Sequence, residues 1–358
     1  MSHRLMRKLS RQLSLFWQCM SRIFEAKTKR RGKADMKKIR HFLGNNASII
    51  GLAFMLLVGT LINSNFLTPG NLSNILRQNS TISIVTLGMA VVIISGSIDL
   101  CVGSLFCLCA YASSFLSQYN TLIAVLGTIL FGILIGFLNG FLVTKMRIHP
   151  WIATLSMMLG LRGLVLVLTG ENTYKPAFDN ILFEKIARGG IGPYLNFPLL
   201  ITIILVILFA IMMKYSQMGR NFYICGGNRE AARMMGIPVE RTIMISFIIS
   251  GMMCSISGII LAARLGSVSP LAGDGNEMYA IASCVVGGIY LTGGRGKIHG
   301  AFIGSIIVGL LTNIFNMQSI LSTFWESVIT GSLVLIVVLL QQISAKRAEH
   351  NRTINEIL

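Results

Sequence analysis

Ser216–Arg241 reads SQMGRNFYICGGNREAARMMGIPVER, the longest polar stretch inside an otherwise apolar chain. It carries Arg220, Arg229, Glu230, Arg233, Glu240 and Arg241. It stands between two apolar runs, 197–215 (FPLLITIILVILFAIMMKY) and 242–262 (TIMISFIISGMMCSISGIILA). A run of about twenty apolar residues crosses the hydrocarbon core as a helix, because only a helix pairs each backbone N–H and C=O internally where water is absent. The island therefore links two spanning helices, and its own residues predict a short helix with both ends marked. Asn228 is an N-cap residue, whose side chain can take up an orphan backbone N–H. Glu230 falls in the first turn, where the helix dipole favours a carboxylate. Ala231, Ala232, Arg233, Met234 and Met235 are good helix formers. Gly236 suits the left-handed C′ position, and Pro238 blocks continuation.

Composition extends that reading to the whole chain. The 358 residues are 53% hydrophobic and only 12% charged, about half the charge of a soluble domain. The apolar runs are continuous, whereas the strands of a transmembrane barrel alternate. The fold class is an all-α polytopic membrane protein. A net charge of +18 invites a nucleic-acid reading, but +11 of it precedes His41 and most of the rest lies in short links between spans. That is the positive-inside pattern, and no nucleic-acid partner is expected. The seven cysteines form no CxxC pair and the five histidines no HxxxH or HExxH pair, so no metal site or metallohydrolase is expected.

Three regions follow: a basic extension over 1–41, a transmembrane domain over 42–343 containing the cytoplasmic loop 216–241, and a tail over 344–358. In the extension, Leu5, Leu9, Leu13, Phe16, Met20, Ile23 and Phe24 share one helical face, opposite Arg4, Arg7, Lys8, Arg11 and Arg22. That pattern suits a helix lying on an anionic lipid surface. Met36-Lys37-Lys38-Ile39-Arg40 also has the character of a start, and the residues leave both readings open.

About ten apolar segments follow, near 48–65, 81–96, 103–117, 121–144, 151–169, 197–215, 242–262, 278–291, 300–316 and 323–341. With the N-terminus inside, Lys145, Arg147, the 216–241 stretch, Arg295, Lys297, Lys346, Arg347 and Arg352 all fall inside. The link 97–102 is the exception, with no base and Asp99. Both termini are then cytoplasmic.

Two segments are interrupted. The second runs into Ser95-Gly96-Ser97-Ile98-Asp99-Leu100-Cys101-Val102-Gly103-Ser104. The eighth is short, contains Gly287-Gly288, and follows Gly273-Asp274-Gly275-Asn276-Glu277. Backbone outside a helix is tolerated at membrane depth only where it lines a cavity or is buried in protein. The competing reading is two helix ends beside ordinary loops. Asp99 and Arg162 are the clearest ionisable groups at depth, each costing roughly 2.5–3.5 kcal/mol on insertion scales, while Glu326 stands near a span end. The candidate solute path is Ser97, Asp99, Ser104, Arg162, Asn276 and Glu277.

No GxxxxGK[ST] occurs. Gly293-Gly294-Arg295-Gly296-Lys297-Ile298 lacks the first glycine and has Ile in place of the metal-binding hydroxyl. ATP-driven transport would thus require an ATPase on another chain and a surface to meet it.

Several stretches resemble the permease subunits of bacterial ATP-binding-cassette importers for monosaccharides of the ribose, xylose, arabinose and galactose type, most of all the ribose permeases. Ser97–Ser104 is similar to the family's GIDLSVGS, and Gly226-Gly227-Asn228 through Ala231-Ala232 to Gly236-Ile237 to its GGNxxAAxxxGI loop. The segment Ile152–Leu155 with Met157–Gly163, the Ala280–Gly288 segment and the Gly293–Gly296 loop fall in the family's order and spacing. Departures are Ser97 and Cys101 where Gly and Ser are common, and the basic extension. The resemblance implies two permease copies, a cytoplasmic ATPase with paired cassettes that binds the ATP and magnesium, and a periplasmic sugar-binding protein, all at the bacterial inner membrane. It implies no cofactor on this chain. It maps Asn228, Arg229, Glu230, Ala231, Ala232, Arg233 and Gly236 onto the contact with the ATPase. The rivals are a self-sufficient ion-coupled sugar transporter, which needs paired titratable groups at mid-membrane, and an integral membrane enzyme, which needs a clustered catalytic set. The sequence offers mainly Asp99 for the first and no such cluster for the second.

Overall fold

A computed structural model describes residues 47–176, 180–191, 195–317, 325, 328–332 and 335–339. The chain divides into two units, 1–50 and 51–358. The basic extension, Glu326 and the tail lie outside the described residues.

The described chain is mostly helical: α1 (Ala47–Ile62), α2 (Pro69–Ile94), α3 (Val102–Ser117), α4 (Thr121–Thr144), α5 (Pro150–Thr169), α6 (Ile181–Arg188), α7 (Phe197–Tyr215), α8 (Gln217–Gly227), α9 (Arg229–Met234), α10 (Val239–Leu265), α11 (Asn276–Val286) and α12 (Ile298–Asn316). A two-residue hairpin, β1 (Gly190–Ile191) with β2 (Leu195–Asn196), interrupts them. Six helices (α2, α4, α5, α7, α10 and α12) are long and apolar enough to cross a membrane, and residues 328–332 and 335–339 are also helical.

The layering follows from which helices bury their apolar windows. In α2 and α10, 83% and 72% of that window lies inside the protein, against 22–28% in α4, α5 and α7. The outer helices turn Leu126, Leu130, Leu134 and Phe141 of α4, and Ile204, Ile207 and Ile211 of α7, outward, as lipid-facing surfaces require. The contact between α4 and α10 is held by small residues. Gly132, Gly136 and Gly140 of α4 recur every fourth residue on the face toward α10, and a Cβ at any of them would run into Gly251, Ser255, the Phe247 carbonyl or Met244. Helices in lipid have no hydrophobic drive toward each other, so close backbone approach and dispersion hold this pair.

Polar bonds tie α2 to its neighbours. Ser257 Oγ donates to the Thr81 carbonyl (2.7 Å), Asn79 Nδ2 to the Ser305 carbonyl (2.9 Å), and Ser83 and Ser305 hydroxyls pair at 2.7 Å. Such bonds average roughly 0.6 kcal/mol within membranes. They also explain why α2 starts at Pro69, twelve residues before the apolar run at 81. Its first three turns mix polar Asn71, Ser73, Asn74, Gln78 and Asn79 with apolar Leu72, Ile75 and Leu76, and Ser73, Ile75 and Asn79 are buried. Pro69 at the first position, with its N–H absent where none is needed, marks that start.

Asn120, Asn180 and Asn196 cap α4, α6 and α7 by accepting backbone N–H bonds. Amphipathic α6 arises within the link between the apolar segments 151–169 and 197–215. Its Arg188 bonds Glu184 (2.7 Å) and the Arg264 carbonyl (3.1 Å). Tyr174 and Val268 exchange backbone hydrogen bonds beside it.

Candidate functional site

The stretch 216–241 forms two helices where the sequence predicts one. Ser216 Oγ accepts the Gly219 N–H (3.0 Å) and starts α8, whose Gly219, Phe222 and Cys225 are buried. That three-residue spacing was readable, but the polar residues around it disguise it. The second helix forms as predicted. Asn228 Oδ1 accepts the N–H groups of Glu230 and Ala231, both at 3.0 Å. At the other end Ile237 N–H reaches the Ala232 carbonyl and Gly236 N–H the Arg233 carbonyl, with Gly236 at φ 75°. This is a complete Schellman closure.

The six-residue α9 sorts the expected contact residues onto two faces. Ala232 is fully buried, packed with Cys225, Val239 and Phe247. Glu230 and Arg233 are exposed and paired at 2.9 Å, and Arg233 also reaches Glu240 at 2.7 Å. The Glu240 hydrogen bond and charge, with Glu230, push the Arg233 guanidinium above its ordinary range. Met234 and Met235, which sequence reasoning treated only as helix formers, are exposed (83% and 61%) at the end of the helix. An exposed pair of thioethers on a polar loop is a surface suited to an adaptable partner.

Arg229 turns inward. Its Nη2 donates to the Gly96 carbonyl (2.8 Å) and the Ser97 hydroxyl (3.1 Å) at the end of α2. Burial draws its pKa below the usual guanidinium value. Around that contact three glycine-rich stretches meet backbone to backbone. Gly294 N–H donates to the Ile94 carbonyl (2.9 Å), and Tyr223 Oη donates to the Gly296 carbonyl (2.9 Å). A Cβ on Gly226 would overlap both the Ile94 carbonyl and the Gly294 nitrogen. Gly96, Gly293 and Gly294 all have φ between 67° and 82°, a region that favours glycine. The loop helices thus abut the first broken segment and the glycine loop that follows the second. The nearest approach to a nucleotide motif in the sequence, Gly293–Lys297, is part of this joint.

The six candidate path residues fall into four settings. Ser97 is buried against Arg229. Asp99 is 1% exposed; Oδ1 accepts the Cys101 N–H (3.1 Å) and Oδ2 the Ser250 hydroxyl (2.8 Å), which fastens the start of α3 to α10. Ser104, Glu277 and Arg162 surround the meeting of the two broken segments. Gly103 of α3 lies against the Gly273 carbonyl and the Glu277 carboxylate, and a side chain on either glycine would overlap its neighbour. Ser104 Oγ is buried there with no partner among the described residues. Arg162 donates from Nη1 to the carbonyls of Pro270 (3.0 Å) and Ala272 (3.2 Å) and stands 3.6 Å from Asp274. It therefore holds the loop that leads into α11. Asn276, next to Glu277 at the start of α11, lines a cavity between α2, α11 and α12.

This arrangement can transmit displacement: a helical loop with one face exposed grips, through Arg229 and glycine contacts, the ends of segments that enter the membrane core. Among the described residues there is no cluster of metal-binding side chains.

Residues 71–338 match the family described as branched-chain amino acid transport system and permease component. The chain is 37% identical to the ribose import permease protein of Escherichia coli (strain K12) over 302 residues, 83% of this chain and 94% of that protein. It is 37% identical to the ribose import permease protein of Bacillus subtilis (strain 168) over 318 residues, 87% of this chain and 97% of that one. To the D-allose transport system permease protein of Escherichia coli (strain K12) it is 35% identical over 292 residues, 80% and 88% of the two chains. No solved structure matches.

Proposed function

The chain belongs to the family of transport-system permease components matched over 71–338, and on that premise we propose that it is the membrane-spanning permease subunit of an ATP-binding-cassette importer for a monosaccharide, a ribose-like sugar first. The observation that carries the sugar is the identity to ribose import permeases over nearly their whole length. The family description names branched-chain amino acids, whereas the ribose and D-allose relatives match 83% and 80% of this chain and 94% and 88% of their own lengths.

ATP is hydrolysed by a separate cytoplasmic ATPase with paired cassettes, and a periplasmic binding protein delivers the sugar. Two permease copies form the core in the bacterial inner membrane, with about ten spans each and both termini inside. The exposed face of α9, with Glu230, Arg233, Met234 and Met235, meets the ATPase. Arg229 on the other face passes the motion to the end of α2, and the 293–296 loop passes it toward α11. What supports this division is the contrast between fully buried Ala232 and 83% exposed Met234 only two residues on.

The test is uptake of labelled D-ribose by vesicles holding the permease, the ATPase and the binding protein. Import that requires all three and ATP is expected. Uptake driven by an ion gradient without the ATPase would replace this reading with the ion-coupled one.

A further inference from the structure

A cavity of about 270 Å³ opens beside the capped loop, between the end of α4, the link 145–149, the start of α5, α9 and the start of α10. That volume equals about nine waters at roughly 30 Å³ each. Basic residues are ordinary in the links of a membrane protein, but here they line a concavity. Arg147 of the link and Arg229 and Arg233 of α9 stand against one lining carboxylate, Glu240. Glu240 is already bonded to Arg233 at 2.7 Å, so the charges of Arg147 and Arg229 are uncompensated among the lining residues. Arg229 is half-buried, and among the described residues its side-chain hydrogen bonds all leave from Nη2, which leaves Nε and Nη1. Burial first, and also the charge of Arg233, lower its pKa, so the two guanidiniums feel each other. The Arg147 side chain is exposed and makes no hydrogen bond or ion pair among the described residues. Its backbone is left-handed, with φ 56°, which is uncommon for a residue other than glycine and clusters at functional sites. His149 and Pro150 at the start of α5, and Val239 at the start of α10, complete the wall. Neither helix has a side-chain cap, so their orphan N–H groups add partial positive charge.

We propose that this cavity binds a phosphate-bearing anion. A phosphate group presents several acceptor oxygens, and the guanidinium fork matches them. A cation meets repulsion here, and a neutral ligand leaves the guanidinium charges unpaired. Exposed Met146 and Trp151 flank the lining, and tryptophan settles at headgroup level, so a free phosphate and a lipid headgroup both reach the site. Occupancy bears on transport through Arg229. Charge-assisted bonds are roughly twice as strong as neutral ones, so a bound phosphate competes with the Gly96 carbonyl and the Ser97 hydroxyl for this side chain. Import is then slowed from the side that carries α9. That consequence rests on the import reading above; the binding does not.

The test is equilibrium dialysis of labelled inorganic phosphate against the full-length permease in phosphatidylcholine nanodiscs at constant ionic strength. The permease is purified alone, because an ATPase binds phosphate itself. Saturable binding near one phosphate per chain is expected. Arg147→Asn, which tolerates a left-handed backbone, is expected to weaken it at least roughly tenfold, and Arg147→Lys to restore most of it. Discs containing phosphatidylglycerol distinguish the two sources. Unchanged phosphate binding there assigns the site to a soluble anion. Displaced phosphate, with phosphatidylglycerol retained by wild type and lost from Arg147→Asn in native mass spectrometry, assigns it to a lipid headgroup. Absence of saturable binding, with equal retention of phosphatidylglycerol by both proteins, overturns the site. Binding by Arg147→Asn equal to wild type also overturns it and marks an adventitious ion only. Uptake by the complete importer, with phosphate on the α9 side, is measured in parallel. Slowing of wild type but not of Arg147→Asn supports control through Arg229, whereas equal slowing of both sinks that control. Phosphate binding without ATP-driven uptake keeps the site and sinks the import reading.

Discussion

Arg229→Ala separates ATP hydrolysis from transport if α9 works through its inner face. The side chain makes two hydrogen bonds to the end of α2, at 2.8 Å and 3.1 Å, both from Nη2. Charged donors contribute roughly 1.5–3 kcal/mol per bond. These two share one nitrogen and are partly solvated, so they do not add, and about 1.5–3 kcal/mol for the pair is the working range. That corresponds to roughly 10–150-fold in the population of the gripped arrangement. The exposed face of α9 is untouched, so the ATPase still binds and turns over. Vesicles containing the complete importer, assayed together for phosphate release and labelled D-ribose uptake, should then show sugar per ATP falling at least roughly tenfold while ATPase activity persists. Arg229→Lys keeps a charged donor but not the planar guanidinium that places Nη2 between the two acceptors, and should fall between. A ratio for Arg229→Ala within a factor of about two of wild type, where even 1.5 kcal/mol predicts roughly tenfold, refutes transmission through this contact. Loss of the ATPase on size-exclusion chromatography refutes it differently, by placing Arg229 in the docking surface itself.

Met234→Lys together with Met235→Lys should release the ATPase during co-purification while the permease stays in the membrane; retained ATPase would remove the methionines from the contact. Ala232→Asp is a poorer probe of docking, because it forces a carboxylate into a fully buried position, and should destabilise the loop by several kcal/mol, seen as faster proteolysis between 216 and 241. Asp99→Asn should transport nearly normally, since an amide can still accept from Cys101 N–H and meet the Ser250 hydroxyl, whereas Asp99→Leu strands both donors at about 1–3 kcal/mol each and should lower the thermal midpoint. Gly226→Val should cost at least about 1–3 kcal/mol by overpacking and depress uptake through the joint; wild-type thermal stability and uptake would show that the three glycine stretches need not touch.

Hydropathy alone located several of the long apolar helices, because a run of apolar residues has one cheap conformation in lipid. The limits near 121–144, 151–169 and 197–215 fall within a few residues of α4, α5 and α7. The capped helix after Asn228 was equally legible, since caps and a C′ glycine act within a few residues of chain. Hydropathy failed at α2, where polar Asn79, Ser80 and Thr81 belong to a helix buried by protein and not by lipid. It also failed at α8, whose buried face is short. Composition has no means of telling the two kinds of burial apart.

The candidate residues divide in the same way. That Ser97, Asp99, Arg162 and Glu277 are unusual was visible in the chain, because ionisable and small polar groups at depth are costly wherever they lie. What each one touches was not visible. Arg162 reaches carbonyls more than a hundred residues away, and Arg229 reaches Gly96 across 133. The sequence by itself determined that this is a helical membrane protein of the permease family, with a capped loop and two broken segments. Tertiary structure alone decided which face of that loop turns inward, that the broken segments touch at Gly103 and Gly273, and that a cavity opens beside Asn276. The physical reason is range: helix formation and capping are settled between near neighbours, whereas a buried hydrogen bond or a glycine contact exists only once distant segments have packed.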